Sequence, residues 1–357
     1  MYIPSLHKDF KLNGQSFQNV KDVLNFSESY YPDVFSFLKF WFDSKDFISV
    51  NTSGSTGKPK RISLKKEFMR NSALATGNYF NLPEKSSALL CLSSEYIAGK
   101  MMLVRSLVLG WHLDVVQVGS NPLENNKKNY DFSAMVPMQL FHSLDTISQI
   151  KKLIVGGGVV SETLKQNIQS VPTHIFATYG MTETITHIAM KRLNHFSSDE
   201  NLDLNKKDIE NYRVLPNIKI SIDGRGCLVI DAPLVSDLSI VTNDLVEIIC
   251  ESEFKWLGRI DSIINSGGVK LIPEQIEKKL SKIIENRFFV SSIPDSILGE
   301  ILILLIECEA YELEMDRFQS ILQKYEIPKK VYFLDQFVET ISKKVDRNKT
   351  KLLVKKW

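Results

Sequence analysis

Apolar positions along this chain follow two rhythms. Through the first half, short apolar runs alternate with longer stretches in which apolar residues recur every three or four positions. Aromatic residues from 30 to 42, Phe35 and Phe42 among them, with Leu38 at the same near-helical spacing, predict a helix packed on the core. Phe47-Ile48-Ser49-Val50 and Arg61-Ile62-Ser63-Leu64 predict two strands flanking a polar stretch. Residues 65–80 predict a helix with Phe68, Ala75 and Tyr79 on its apolar side, 88–92 a buried strand, 98–109 an apolar helix and 113–118 a strand. Strands over 131–136 and Leu153-Ile154-Val155 bracket a helix at 138–150. Ser161 can cap a helix over 162–168, and His174-Ile175-Phe176-Ala177 predicts a further strand. Such alternation predicts a largely parallel sheet covered on both faces, with ligands beyond the carboxyl ends of its strands.

The rhythm then changes. Residues 192–212 are polar and irregular, a surface excursion. Residues 218–222, 226–230 and 245–249 predict strands with no helices between them, hence antiparallel pairing, with Gly224 and Gly226 in a hairpin turn. After Gly258-Arg259-Ile260-Asp261 a second α/β unit begins. Pro273 opens a helix lined by Ile276, Leu280, Ile283 and Ile284, followed by strands at 287–291 and 300–306 and a helix at 314–325. The expected fold is α/β: a large N-terminal domain of mixed, mostly parallel sheets with helices and a small β subdomain, and a small mobile α/β C-terminal domain.

Composition narrows the class. The chain has 357 residues, 43% apolar and 24% charged, with a net charge of +2. That is ordinary for a soluble globular protein and gives no sign of a nucleic-acid partner. No basic-then-apolar leader opens the chain, and no apolar run reaches the roughly 18 residues of a membrane span. A cytoplasmic protein, monomeric or homo-oligomeric and without stable membrane insertion, is expected. Cys91, Cys227, Cys250 and Cys308 lie far apart without metal-ligand spacing, so buried free thiols are expected.

The polar stretch between the first two strands reads Thr52-Ser53-Gly54-Ser55-Thr56-Gly57-Lys58-Pro59-Lys60. Its glycines allow close backbone approach, its N–H groups and hydroxyls can surround an anion, and its lysines suit phosphate. It is not the P-loop, which needs four residues between its glycines and a helix after its lysine. Pro59 biases Lys58 away from helix. A surface turn of the same composition is the alternative on these residues alone.

Further motifs follow in order: Gly156-Gly157-Gly158; Tyr179-Gly180-Met181-Thr182-Glu183-Thr184; Thr242-Asn243-Asp244; a stretch from Trp256 to Glu277 containing Gly258-Arg259-Ile260-Asp261 and Ser266-Gly267-Gly268; and Thr340-Ile341-Ser342-Lys343-Lys344-Val345-Asp346-Arg347. Together with the phosphate stretch these resemble the signatures of the adenylate-forming enzymes, which include acyl- and aryl-CoA ligases, peptide-synthetase adenylation domains and luciferases. Asn243 stands where that family has glycine, Val338 where it has proline, and Lys343 where it has glycine.

The resemblance implies roles. Thr52, Ser53, Gly54, Ser55, Thr56, Gly57 and Lys60 would hold ATP phosphates, Gly156 and Gly157 would wall the adenine, Tyr179 would flank it, and Gly180 would belong to the same nucleotide site. Thr182 would meet the α-phosphate, Glu183 would hold Mg²⁺, Asp244 would accept the ribose hydroxyls and Arg259 would reach the nucleotide. Asp261 would be the pivot of a hinge at 259–261 between domains 1–258 and 262–357. Ser266, Gly267 and Gly268 would line the path of CoA, and Lys344 would be the catalytic lysine. The implied reaction is ATP-dependent acid–CoA ligation through an acyl adenylate, with a small carboxylic acid as substrate.

The compact N-terminal part resembles the short bacterial o-succinylbenzoate–CoA ligases of menaquinone synthesis, although Tyr96 replaces the histidine of their His-x-Ser-Gly segment. Tyr96, Lys100, Arg105, Thr186 and His187 are candidate acid contacts. A buried Lys100 or Arg105 needs a partner, which a second substrate carboxylate could supply. Solvated lysine and arginine tips with buried stems are the alternative, and His187 reads as a wall residue. Other readings are a ligase for another aryl or medium-chain acid, a carrier-protein-loading adenylation enzyme, a nucleic-acid binder using the basic tail, and a non-catalytic homologue.

Overall fold

The structure, a computed structural model, describes residues 2–51, 61–195, 210–340 and 345–354. Among these, thirteen strands form one sheet. Its centre is parallel, with His112–Val115, Ser87–Leu90, Tyr130–Met135, Ile150–Val155 and His174–Gly180 side by side. Beyond His174–Gly180 the direction reverses. His187–Arg192, Tyr212–Val214, Glu253–Arg259, Ile240–Cys250, Cys227–Asp231 and Lys219–Ile222 follow, each antiparallel to its neighbour. The expected antiparallel strands are therefore continuous with the parallel ones. Phe47–Asn51 and Arg61–Lys65 form a separate antiparallel pair whose ends Asn51 and Arg61 face each other.

Both faces of the parallel centre are buried, as the near-continuous apolar runs require. Ala88, Leu90, Ile154 and Phe176 point into one core, while Leu89, Cys91, Leu153, Val155 and Ile175 point into another. The helices Lys66–Tyr79 and Ile97–Leu109 pack together over the first core. Each large apolar side chain so enclosed contributes roughly 1.5–3 kcal/mol.

Helix faces differ from the pattern reading. On Lys66–Tyr79 the fully buried residues are Lys66, Met69, Ser72, Ala73, Thr76 and Gly77; Phe68 and Ala75 pack half-buried against the same core, and Tyr79 is exposed. Small residues face inward because the neighbouring helix lies close, with Leu109 against Gly77. On Pro32–Trp41 the buried residues are Val34, Phe37, Leu38 and Trp41, while Phe35 and Phe42 are half-buried. The helix expected at 138–150 is only Pro137–His142, and that expected at 314–325 only Met315–Ile321. Ser161 caps Glu162–Asn167 by accepting from the Leu164 N–H at 3.2 Å. The four cysteines are free, but Cys250 is exposed at the end of its strand; burial pushes the Cys91 thiol up to about 12.

A second sheet begins past Ile260–Ser262. Ile264–Ser266, Val269–Leu271, Phe288–Asp295, Gly299–Glu307 and Lys330–Leu334 build it, with the helix Pro273–Leu280 against one face. It has its own apolar clusters, one around Ile276, Leu280, Leu302 and Leu304, another around Phe289, Ile303 and Phe337. No described helix is long and apolar enough to cross a membrane.

Candidate active site

The parallel strands end on one edge, and the motif loops leave from it. Gly156 follows Ile150–Val155, with its N–H on the Met135 carbonyl at 3.1 Å. Tyr179 and Gly180 close the next strand, and Thr182–Thr184 makes a single tight turn beyond it. Gly180 is required there: a Cβ would sit 2.2 Å from the Thr186 carbonyl oxygen. The turn ends in strain. Ile185 has φ +66° and ψ −59°, and the Thr186 N–H bonds back to the Thr184 carbonyl at 2.7 Å, a γ-turn rarely adopted by a β-branched residue. This turn lifts Glu183 into solvent, where its carboxylate has no hydrogen-bond or ion-pair partner among the described residues. Two free carboxylate oxygens beside a hydroxyl-rich turn suit a hard cation such as Mg²⁺. The strand Arg61–Lys65 packs against the same turn, so the chain flanking residues 52–60 reaches this edge.

A polar cluster stands beside Tyr179. Its hydroxyl donates to Asp244 Oδ2 at 2.7 Å, and Trp256 Nε1 donates to Asp244 Oδ1 at 3.2 Å. Burial, then the Asp244 charge and hydrogen bond, hold the Tyr179 hydroxyl protonated far above its ordinary range. Its ring meets Phe254 edge-on at 5.1 Å and Tyr212 at 5.7 Å. Arg259 Nη1 lies 3.8 Å from Asp244, and its Nη2 donates to Asp261 at 2.6 Å. Asp261 also accepts from Asn243 Nδ2 at 2.9 Å. Burial opposes the Arg259 charge, but the Asp261 hydrogen bond and both carboxylates hold its pKa above the ordinary value.

A second cluster lies across the same strands. Arg105 is 1% exposed. Its Nε donates to the Thr76 hydroxyl at 3.2 Å, and Nη2 reaches the Thr186 hydroxyl at 3.5 Å. His187 sits between, 3.4 Å from the Thr76 hydroxyl and 3.5 Å from that of Thr186. Burial pushes Arg105 down to about 9, still a cation at neutral pH. Burial, then the Arg105 charge, keeps His187 neutral, with its pKa well below the ordinary value. No carboxylate answers Arg105 among the described residues. A buried cation held only by neutral groups is costly and calls for an anion.

Lys100 is elsewhere: its ammonium donates to the Ser94 and Glu95 carbonyls, ahead of its own helix. Of the two candidate cations, Arg105 alone joins the Thr186–His187 cluster. Tyr96 is half-buried at the start of that helix. Ser266 is buried, and Gly267 and Gly268 form a two-residue hairpin turn between Ile264–Ser266 and Val269–Leu271, with φ +58° and +81°. Thr52, Ser53, Gly54, Ser55, Thr56, Gly57, Lys60 and Lys344 lie outside the described residues. Reading the sequence missed Thr76, Asn243 and Trp256. The last two sit inside recognised motifs, but only the strand register places them against acids.

The sequence pattern of the AMP-binding enzyme family matches residues 43–225. Among curated proteins, the 2-succinylbenzoate–CoA ligase of Lactococcus lactis subsp. lactis (strain IL1403) is 23% identical over 357 aligned residues, covering 94% of this chain and 77% of that protein. Among solved structures, an acyl-CoA synthetase (AMP-forming)/AMP-acid ligase II-like protein from Dyadobacter fermentans DSM 18053 is 36% identical, with a TM-score of 0.59 over 91% of this chain and 94% of that one. The o-succinylbenzoate CoA synthetase of Bacillus subtilis, in complex with ATP and magnesium ion, has a TM-score of 0.74 at 20% identity, covering 95% and 83%. The same enzyme with its acyl-adenylate intermediate has a TM-score of 0.74 at 22% identity, covering 85% and 68%.

Proposed function

Because the chain belongs to the AMP-binding enzyme family, we propose that it is an AMP-forming acid–CoA ligase that converts o-succinylbenzoate to o-succinylbenzoyl-CoA for menaquinone biosynthesis. The 2-succinylbenzoate–CoA ligases among its relatives support this reading. The observation that carries the choice of acid is Arg105, a fully buried cation without a carboxylate partner among the described residues. o-Succinylbenzoate has two carboxylates: one reacts, and the other can complete Arg105 through a charge-assisted pair.

In the proposed first half-reaction the reacting carboxylate attacks the α-phosphorus of ATP and pyrophosphate leaves. Such a transfer needs positioning and charge neutralisation more than covalent help. Ser53, Ser55, Thr56 and Lys60 would hold the β- and γ-phosphates, and Thr182 the α-phosphate. Tyr179 would stack on adenine while Asp244 receives the ribose hydroxyls. Mg²⁺, when bound at Glu183, would neutralise phosphate charge. Lys344 would bridge the carboxylate and the α-phosphate. In the second half, residues 262–357 would turn about Asp261, withdrawing Lys344 and bringing Ser266, Gly267 and Gly268 beside the incoming CoA thiol. Hinge closure of this kind turns on a few residues at element ends. Asp261 fits that place, on the single turn Ile260–Ser262 between the two sheets. Absence of a membrane-spanning helix among the described residues is compatible with a cytoplasmic enzyme.

The experiment is a comparison of acids. Purified protein with ATP, Mg²⁺ and CoA is given o-succinylbenzoate or benzoylpropionate, which lacks the ring carboxylate. Thioester formation strongly favouring the diacid supports the reading. Equal use of both would discard the substrate and keep the ligase.

A further inference from the structure

In the ligase proposed for this chain, Asp244 is the carboxylate that receives the ribose, and the role of its neighbours rests on that proposal. A carboxylate offers two oxygens and about four acceptor positions, so the positions left for a ligand depend on what holds the group. Tyr179 holds one oxygen from its motif. The other is held by Trp256, whose indole N–H can only donate.

The backbone explains how Trp256 reaches it. Between Ile240–Cys250 and Glu253–Arg259, Asp244 faces Arg259 and Leu245 faces Gly258, but Val246 faces Trp256. Leu257 is therefore the extra residue of a bulge. In an unbroken ladder Leu257 would face Val246, and Trp256 would point to the opposite side of the sheet from Asp244. One inserted residue thus carries the indole onto the face of Asp244 and Arg259. The Leu257 carbonyl accepts from the Gln275 side chain on the helix Pro273–Leu280, so the bulge's carbonyl has a partner.

We infer that Trp256 is a positioning residue for the nucleotide: its N–H, brought round by the bulge at Leu257, fixes the Asp244 carboxylate in the orientation that receives the two ribose hydroxyls. The role is specific to a sugar carrying both hydroxyls, and that makes it separable from simple packing.

The test compares ATP, 2′-deoxyATP and 3′-deoxyATP on the wild-type chain and on Trp256→Phe, which keeps an aromatic ring but has no donor. Expected for the variant is a rise of about tenfold in KM for ATP, a kcat within about twofold, and a preference for ATP over both deoxynucleotides reduced by a similar factor. Site-specific replacement of Trp256 by benzothienylalanine, which keeps the bicyclic shape and lacks only the N–H, should give the same pattern and decides the matter if the phenylalanine variant does not fold. Calorimetric binding of the three nucleotides without acid gives the same ratios independently of turnover. Equal losses for all three nucleotides would reduce Trp256 to a space-filling residue and overturn the inference. A wild-type chain that binds ATP no better than the deoxynucleotides would overturn it too. Failure of the underlying ligase proposal would look different: no acid-dependent pyrophosphate release by the wild type.

Discussion

Arg105 is the side chain on which the substrate assignment turns. Removing an unpaired buried charge relieves a desolvation cost, whereas removing one member of a protein ion pair leaves the other stranded. Arg105→Met should therefore leave thermal stability unchanged or raise it. It should also raise KM for a diacid about tenfold or more and leave a monoacid lacking the second carboxylate unaffected. A large loss of stability with unchanged acid preference would mean that the guanidinium is a structural member of the core. His187 gives a pH signature. Its folded pKa lies below the ordinary 6.5, so between those values the unfolded chain binds a proton that the folded chain refuses. Stability should rise with pH through that window and fall on acidification below about 6.5, by at most about 1.4 kcal/mol per pH unit from this group. Denaturation of the wild type and His187→Gln at pH 7 and pH 5 measures it; the variant should lose part of the slope. Motif spacing pointed to Asp244, Arg259 and Tyr179. Their mutual contacts, and the separation of Lys100 from Arg105, were not legible, because five residues on a helix fix a difference in direction but not which direction faces the site.

Elements were read well where packing and local preference agree. Ser161 and Pro273 begin their helices where capping chemistry and a fixed φ place them. Errors fell where tertiary packing overrides the pattern: apart from Met69, the most buried face of Lys66–Tyr79 is made of small and polar residues, with a neighbouring helix close against Gly77. The Leu257 bulge was invisible for a different reason: Trp256 and Leu257 are both apolar, so the pattern does not say which of them shares the face of Asp244. The Gly267-Gly268 hairpin offers an element-scale test. Both residues have positive φ, and nothing lies within 4 Å of a Cβ added at Gly268. Gly268→Ala should thus cost only backbone strain, about 1–2 kcal/mol, read as a lower midpoint in denaturant. If this turn lines the CoA path, the variant should also slow thioester formation more than adenylation; equal slowing would remove the turn from that path.

At the scale of the whole molecule, the two sheets and their separate cores give the chain the parts for a two-step enzyme, joined at Ile260–Ser262. Their motion about Asp261 remains the proposed link between the half-reactions. Lys344→Ala should cut acid-dependent pyrophosphate release by two or more orders of magnitude, yet leave thioester formation from a supplied acyl adenylate within a few-fold. Equal loss in both steps would move the catalytic role to another lysine, with Lys343 the neighbour to test. The most direct measurement is pyrophosphate release by the purified chain with ATP and Mg²⁺ across a panel of carboxylic acids, with and without CoA. The account predicts release that depends on o-succinylbenzoate above every other acid, with its CoA thioester formed when CoA is present. Release with no acid in the panel, under conditions where the protein is folded, would contradict it.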